Sequence, residues 1–333
     1  MTRRDLLKQG GMAMFAWGLP ASFTAFTNYN PMTDRKDFDV IIMGGSYAGL
    51  SAAMALGRSL RNVLILDSGI PCNRQTPHSH NFITQDGEKP AVIAQKAREQ
   101  VLEYRSVSFL NRLAVSGKKT STGFSITTQS GETFEAKKLI FATGIKDRMP
   151  DLKGFAACWG ISVVHCPYCH GYEFRGQKTG ILANGKHAFH LASLVNNLTD
   201  DLTILTEGKP DFTPEQIKKL QKHRIQIVET TLSELEHENG QLKNVIFTDG
   251  KQADFKALYA AIPFTQHSEI PADLGCEMTE PGYLKTDLFQ QTSLEGVYAC
   301  GDNSNMMRSI ANAVYSGNLA GAVVNKTLTD EQF

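Results

Sequence analysis

Residues 38–67 read FDVIIMGGSYAGLSAAMALGRSLRNVLILD, and the order of features in this stretch decides the fold. Phe38 to Met43 is a short apolar run of the kind that forms a buried strand. Tyr47 to Leu60 reads as a helix, and Val63 to Leu66 is a second apolar run ending in Asp67. The result is a βαβ unit whose turn is Gly44-Gly45-Ser46-Tyr47-Ala48-Gly49. In such a turn the first glycine permits the bend, the middle position lets a pyrophosphate approach the backbone, and the last lets helix and strand pack closely. The helix N-terminus stabilises phosphate charge, and Asp67 can accept hydrogen bonds from ribose hydroxyls. Ser46 stands where the ideal pattern has glycine, and it is small enough to fit. A bare glycine turn is the plainer reading; strand, turn, helix and acid together point to a dinucleotide.

Working outward, Ala91 to Tyr104 reads as a helix, and Phe109 to Val115, Phe124 to Thr128 and Leu139 to Ala142 read as strands. A second βαβ unit opens at Lys178. Gly180 to Leu182, Leu202 to Leu205 and Ile225 to Val228 are its strands, with His187 to Asn197 and Pro214 to Lys222 as helices. Two such openings more than a hundred residues apart predict an α/β chain of two Rossmann-like nucleotide-binding domains. Length agrees, since 333 residues hold two domains at roughly 150 residues each.

Composition narrows the function. Lys+Arg and Asp+Glu both number 34, and that balance argues against nucleic acid, which selects a basic excess or a basic face. Six cysteines are too few for a disulfide scaffold. At the start of the chain, Arg3-Arg4 precedes Leu6-Leu7-Lys8, and no charge follows from Gln9 to Thr33. Residues 1–33 therefore read as a twin-arginine-type export signal, with Gly10 to Phe26 as the apolar stretch. A loose tail or a single anchor is the alternative, though Pro20 and the glycines make a poor spanning helix. Export predicts a periplasmic protein, with anchoring if the signal is not cleaved.

The chemistry sits in Cys166-Pro167-Tyr168-Cys169-His170-Gly171. Two residues between cysteines allow a disulfide to close and reopen, and the thiolate is the attacking form. Structural zinc would need two further ligands, and there is no second CxxC or paired-His motif; inert buried thiols are the remaining reading. Near the C-terminus, Gly296-Val297-Tyr298-Ala299-Cys300-Gly301-Asp302 is a short strand ending in Gly-Asp. There the glycine permits close approach and the aspartate can hold a ribityl hydroxyl, or the pair simply makes a turn. With the first glycine cluster and Ala142-Thr143-Gly144, the flavin reading prevails.

In this order the motifs resemble those of the thioredoxin reductase family of FAD-dependent disulfide oxidoreductases, from Phe38 to about Thr327. The resemblance implies an FAD domain built from residues 37–147 and 264–333, and an inserted domain of NAD(P)-binding type, residues 148–263, that carries the cysteines. It implies FAD held by Gly44, Gly45, Ser46, Ala48, Gly49, Asp67, Gly144, Gly301 and Asp302, Cys169 facing the flavin, Cys166 exchanging with substrate, and a homodimer. Where the family has an aspartate after the second cysteine, this chain has His170, an imidazole able to act as acid/base near its ordinary value of about 6.5, or else a hydrogen-bonded surface histidine. His267 is a second candidate. The nicotinamide motif departs further, because the family's GxGxxA is here Ala183-Asn184-Gly185-Lys186-His187-Ala188. Glu207 stands where a cation should hold the 2′-phosphate of NADPH, so NADPH is disfavoured and NADH less so. Glu207→Arg is expected to improve NADPH use if the site is otherwise intact. A similar branch of the family, the gliotoxin-type oxidases, has Cys-x-x-Cys-His and oxidises small-molecule dithiols. The sequence therefore predicts a thiol-disulfide oxidoreductase running in the oxidase direction, with a small dithiol or a thioredoxin-like protein as partner. The alternatives are an NAD(P)H-driven reductase and a non-catalytic flavin-binding redox sensor.

Overall fold

The computed structural model describes residues 36–333. The export-signal reading of residues 1–33 lies outside the described residues. Among those described, no helix is long and apolar enough to cross a membrane.

The first half begins with β1 (Asp37–Met43), α1 (Tyr47–Arg58), β2 (Val63–Asp67), α2 (Pro90–Leu102) and β3 (Val107–Asn111), followed by β4 (Ala114–Lys119), β5 (Phe124–Thr128) and β6 (Thr133–Phe141). Strand order is β3-β2-β1-β6-β5-β4, parallel from β3 to β6 and antiparallel beyond. The run Phe109 to Val115 is thus not one strand. Only two residues separate β3 from β4, yet these strands end opposite sides of the strand order, so the sheet must curl back on itself to keep them within reach. Successive residues of β1 serve two cores. Val40 and Ile42 face α1, whereas Ile41 and Met43 pack with Phe124, Ile126 and Phe134 of the curled layer. Burial on both faces explains why β1 reads as an unbroken apolar run.

β7 (Ile145–Asp147) leads into the second half, made of α3 (Phe155–Cys158), β8 (Val163–Val164), α4 (Pro167–His170), β9 (Thr179–Leu182), α5 (Gly185–Val195), β10 (Leu202–Leu205), α6 (Pro214–Lys222), β11 (Gln226–Val228), β12 (Leu232–Glu238), β13 (Gln241–Phe247), β14 (Gln252–Ala253) and β15 (Ala257–Ala260). A parallel sheet, β11-β10-β9-β15-β8, is covered on one face by α5 and α6. Its other face is covered by α3 and by the antiparallel β12-β13-β14 layer, which sequence patterning did not reveal. The chain returns through β16 (Phe264–Gln266), antiparallel to β7, then α7 (Ile270–Asp273), β17 (Val297–Ala299) beside β6, and α8 (Ile310–Gln332). Both halves are Rossmann-like, and the second interrupts the first.

α8 was also not anticipated. It lies against α1, and a Cβ on Gly317 would collide with the Ala48 carbonyl. Interior glycines lower helix propensity, but here they permit a close helix crossing whose burial outweighs that cost.

Candidate active site

At the end of β1, Gly44 has φ +103°, and a Cβ there would run into the Ala142 carbonyl at the end of β6. A Cβ on Gly49 would meet the Gly44 carbonyl, so α1 starts directly against the turn. Asp67 differs from expectation in its first task. Its Oδ1 accepts from Gly45 N–H (2.8 Å) and its Oδ2 from Gly69 N–H (3.0 Å), which ties the turn to the loop after β2. Spare lone pairs on a carboxylate still permit a ribose contact. Ser46 makes no side-chain cap and the first turn of α1 has no acid, leaving helix N–H groups for a phosphate.

Gly301 and Asp302 approach from the other side. Gly301 N–H donates to Ser316 Oγ on α8 (3.0 Å). Burial pushes the Asp302 carboxyl up to about 6; the Arg308 guanidinium opposes that shift and the Asp147 charge adds to it. Asn303 donates to the Phe141 carbonyl (2.8 Å), while its buried Oδ1 has no partner. One cavity of about 510 Å³ is lined by Gly44 to Ala48, Asp67, Gly144, Cys169, His170, Gly301 and Asp302. Turn glycines packed too closely to carry a side chain and one cavity lined by both the glycine turn and Cys169 fit FAD. Replacing Gly49 with leucine should drive α1 off the turn and give colourless protein; retention of flavin absorbance would contradict this placement.

The cysteines open α4. Cys166 is its extended N-cap residue, Pro167 its first position, and both Cys169 and His170 donate backbone N–H to the Cys166 carbonyl (3.2 Å each). Cys166 and Cys169 form a disulfide with Cα atoms 5.3 Å apart. Cys169 lines the cavity and Cys166 does not. The other cysteines stand apart from this pair; burial pushes Cys300 up to about 12, and Cys72, whose side chain is open to the cavity, is pushed up to about 11 by the surrounding protein displacing water and by the Asp302 charge, with Arg308 opposing. Among the described residues no three His, Cys, Asp or Glu side chains converge as a metal-binding set.

His170 is not at its ordinary value. Burial lowers its pKa, Glu173 pulls it back up and His80 opposes Glu173. His80 comes from the first half, with Nε2 3.6 Å from Glu173 Oε1. The imidazole is therefore neutral near pH 7 and can accept a proton there. His165, just before the pair, is held down to about 3 by burial, with Arg308 and His170 adding to the effect and Asp147 opposing it. His267 lines the same cavity, and burial lowers it as well. His80, Asp147, Trp159 and Arg308 were not selected from sequence, because each is brought to the cavity by tertiary packing rather than by a motif, and Glu173 reaches His80 in the same way; His165 drew notice only as a flank of the cysteine pair, a metal ligand in principle but poorly placed for one. The one local signal was Ser309, an N-cap residue that accepts from Asn312 N–H (3.1 Å) and marks the start of α8 beside Arg308.

The second βαβ unit presents a different crevice. Asn184, between β9 and α5, accepts from Gly185 N–H (2.8 Å) and Asp211 N–H (2.9 Å). Its amide donates to the carbonyls of Thr206 (3.2 Å) and Lys209 (2.9 Å). A Cβ on Gly185 would sit 3.3 Å from Asp211 Oδ2. The loop after β10 is thus laced over the N-terminus of α5, with a carboxylate where a pyrophosphate would bind. Glu207, at φ +56°, accepts from Leu232 N–H (2.6 Å), so its carboxylate is committed to the start of β12.

Set beside known proteins, residues 38–317 match the family described as pyridine nucleotide-disulphide oxidoreductase. The thioredoxin reductase tcpT of Claviceps purpurea is 33% identical over 310 residues, covering 89% of this chain and 96% of the relative. The thioredoxin reductase sirT of Leptosphaeria maculans is 31% identical over 306 residues, covering 86% and 93%. An oxidoreductase of Agrobacterium tumefaciens of known structure superposes with TM-score 0.82 at 34% identity, covering 88% of this chain and 99% of its own.

Proposed function

Because the chain belongs to the pyridine nucleotide-disulphide oxidoreductase family, as an FAD-dependent disulfide oxidoreductase of thioredoxin reductase type, we propose that it oxidises dithiols through the Cys166–Cys169 pair. The observation that carries the direction is the loop after β10, laced by Asn184 over the crevice in which a reduced nicotinamide would have to lie. With that entrance blocked, electrons enter from the thiol side.

His170 accepts the proton of an incoming thiol, and the thiolate attacks Cys166. The second substrate thiol then closes the substrate disulfide and leaves both cysteines reduced. Cys169, on the cavity wall, passes the electron pair inward while the cysteine disulfide re-forms. Bound FAD supplies two-electron acceptance from the dithiol and reoxidation by dioxygen. Per turnover, one dithiol becomes one disulfide, and its two electrons and two protons convert dioxygen to hydrogen peroxide. Glycines 44, 45 and 49, with Ser46, Ala48, Asp67, Gly144, Gly301 and Asp302, hold the cofactor in this reading. The substrate class is a small dithiol. Tyr168 and Tyr172, 70% and 67% exposed beside the pair, provide apolar surface for it. The Arg3-Arg4 signal supports export to a compartment short of reduced nicotinamide, and the family resemblance supports a homodimer.

The test is oxygen uptake with dithiothreitol as the only reductant. We expect uptake and peroxide formation that neither NADPH nor NADH stimulates; uptake that requires a nicotinamide would overturn the proposal.

His170 gives a separate expectation. Burial lowers its pKa, so the acid limb of the rate profile should lie below pH 6.5, where protonation removes the acceptor. His170→Ala should cut the rate on the order of 10²-fold and abolish that limb. A profile identical to wild type would return His170 to a structural role.

A further inference from the structure

The two halves are joined by only two backbone crossings, β7 and β16, and such a connection leaves domains free to move unless side chains fasten them. Asp147, at the end of β7, gathers both halves on one carboxylate. Arg308, just before α8, donates Nη1 to Asp147 Oδ1 (2.8 Å) and Nη2 to Oδ2 (3.0 Å). Trp159 of the inserted half donates Nε1 to the same Oδ2 (3.0 Å). The ion pair is shielded, with side chains 14% and 8% exposed, and Trp159 is 4% exposed.

From Trp159 a short rigid path leads to the cysteines. Its ring stacks on Phe155 (5.7 Å) and lies 6.0 Å from the His165 ring, next in sequence to Cys166. Gly160 N–H donates to the Val163 carbonyl (2.8 Å), closing the turn between them. A Cβ on Gly160 would lie 3.1 Å from Thr76 Oγ1, so this turn is seated on the first half. On the far side of α4, the His80–Glu173 contact makes a second crossing.

We propose that Asp147 is a positioning residue: by holding Arg308 and Trp159 together it fixes the cysteine turn against the flavin cavity, so that Cys169 addresses the flavin without domain movement. The proposal rests on the reading that Cys169 passes electrons to FAD. Asp147 itself exchanges no electron or proton.

The test uses the flavin-loaded Cys166→Ser protein, in which Cys169 is a free thiol at the cavity. This parent should show a long-wavelength thiolate–flavin charge-transfer band and slow alkylation of Cys169 by iodoacetamide. Trp159→Phe keeps an aromatic ring against Phe155 but removes the N–H donor together with part of the buried indole, while Asp147→Asn keeps the side chain's shape and removes the charge. In either background we expect the band to weaken and Cys169 alkylation to rise about tenfold, the factor expected for one lost hydrogen bond to a charged acceptor, with flavin content retained. Band and alkylation equal to the parent's in both variants would overturn the proposal. Loss of flavin instead would make the cluster a cofactor-binding element, which also overturns it. A parent without the band would sink the reading of Cys169 itself, and the positioning role with it.

Discussion

Cys169→Ser protein should retain its flavin but lose turnover with dithiols by on the order of 10³-fold or more, as expected when a nucleophile working in a concerted unit is removed. The argument is geometric. Cys169 closes the disulfide that the substrate thiolate attacks and, of the pair, only it lines the cavity, so without its sulfur there is neither an acceptor for the dithiol nor a route to the flavin. Cys166→Ser is equally inactive but different in colour, since it leaves a thiol at the cavity with no partner to close onto. Stopped-flow absorbance separates the two variants. Turnover near the wild-type rate in the double variant would end the mechanism.

The second large effect concerns nicotinamides. To seat a dinucleotide at the N-terminus of α5, the loop after β10 must surrender the three hydrogen bonds that it makes with Asn184. At about 1 kcal/mol each the loss is about 3 kcal/mol, or roughly 10²-fold in affinity, before the repulsion between Asp211 and a pyrophosphate is added. NADPH and NADH should therefore both bind too weakly to be useful. Glu207→Arg was expected to improve NADPH use only in a site that is otherwise intact. The site is not otherwise intact, and Glu207 is the acceptor for Leu232 N–H, so the substitution strips that donor and leaves the loop closed. Titration calorimetry of wild type and Glu207→Arg with NADPH should give no measurable binding for either; tight binding to the variant would restore the simpler view.

How much of this was legible follows from where each signal lives. The first βαβ unit and the cysteine pair are local: apolar runs, turn glycines and a two-residue spacing sit within a few positions of one another. The strand Phe124–Thr128 and the helix Pro214–Lys222 were readable to the residue because a turn or a capping box bounds them. Phe109 to Val115 misled because apolar residues resume at Leu113 after only Asn111 and Arg112, and it is there that the chain leaves one edge of the curled sheet and enters the other. α8 was hidden by its glycines, whose purpose is visible only against α1. Trp159 and Arg308 carry no motif, and only folding places them on Asp147. His170, singled out from sequence as an acid/base candidate, lines the same space as Cys169, but its depressed pKa follows from burial that a sequence does not display.

The most direct test of the central claim is anaerobic mixing of the flavin-loaded protein, separately, with dithiothreitol, NADPH and NADH while the flavin's visible absorbance is followed. The dithiol should bleach the flavin within a turnover time and admission of air should restore the colour, while neither nicotinamide changes the spectrum on that timescale. Rapid bleaching by NADPH or NADH, with slow or absent bleaching by the dithiol, would contradict the account and make the protein a nicotinamide-driven reductase.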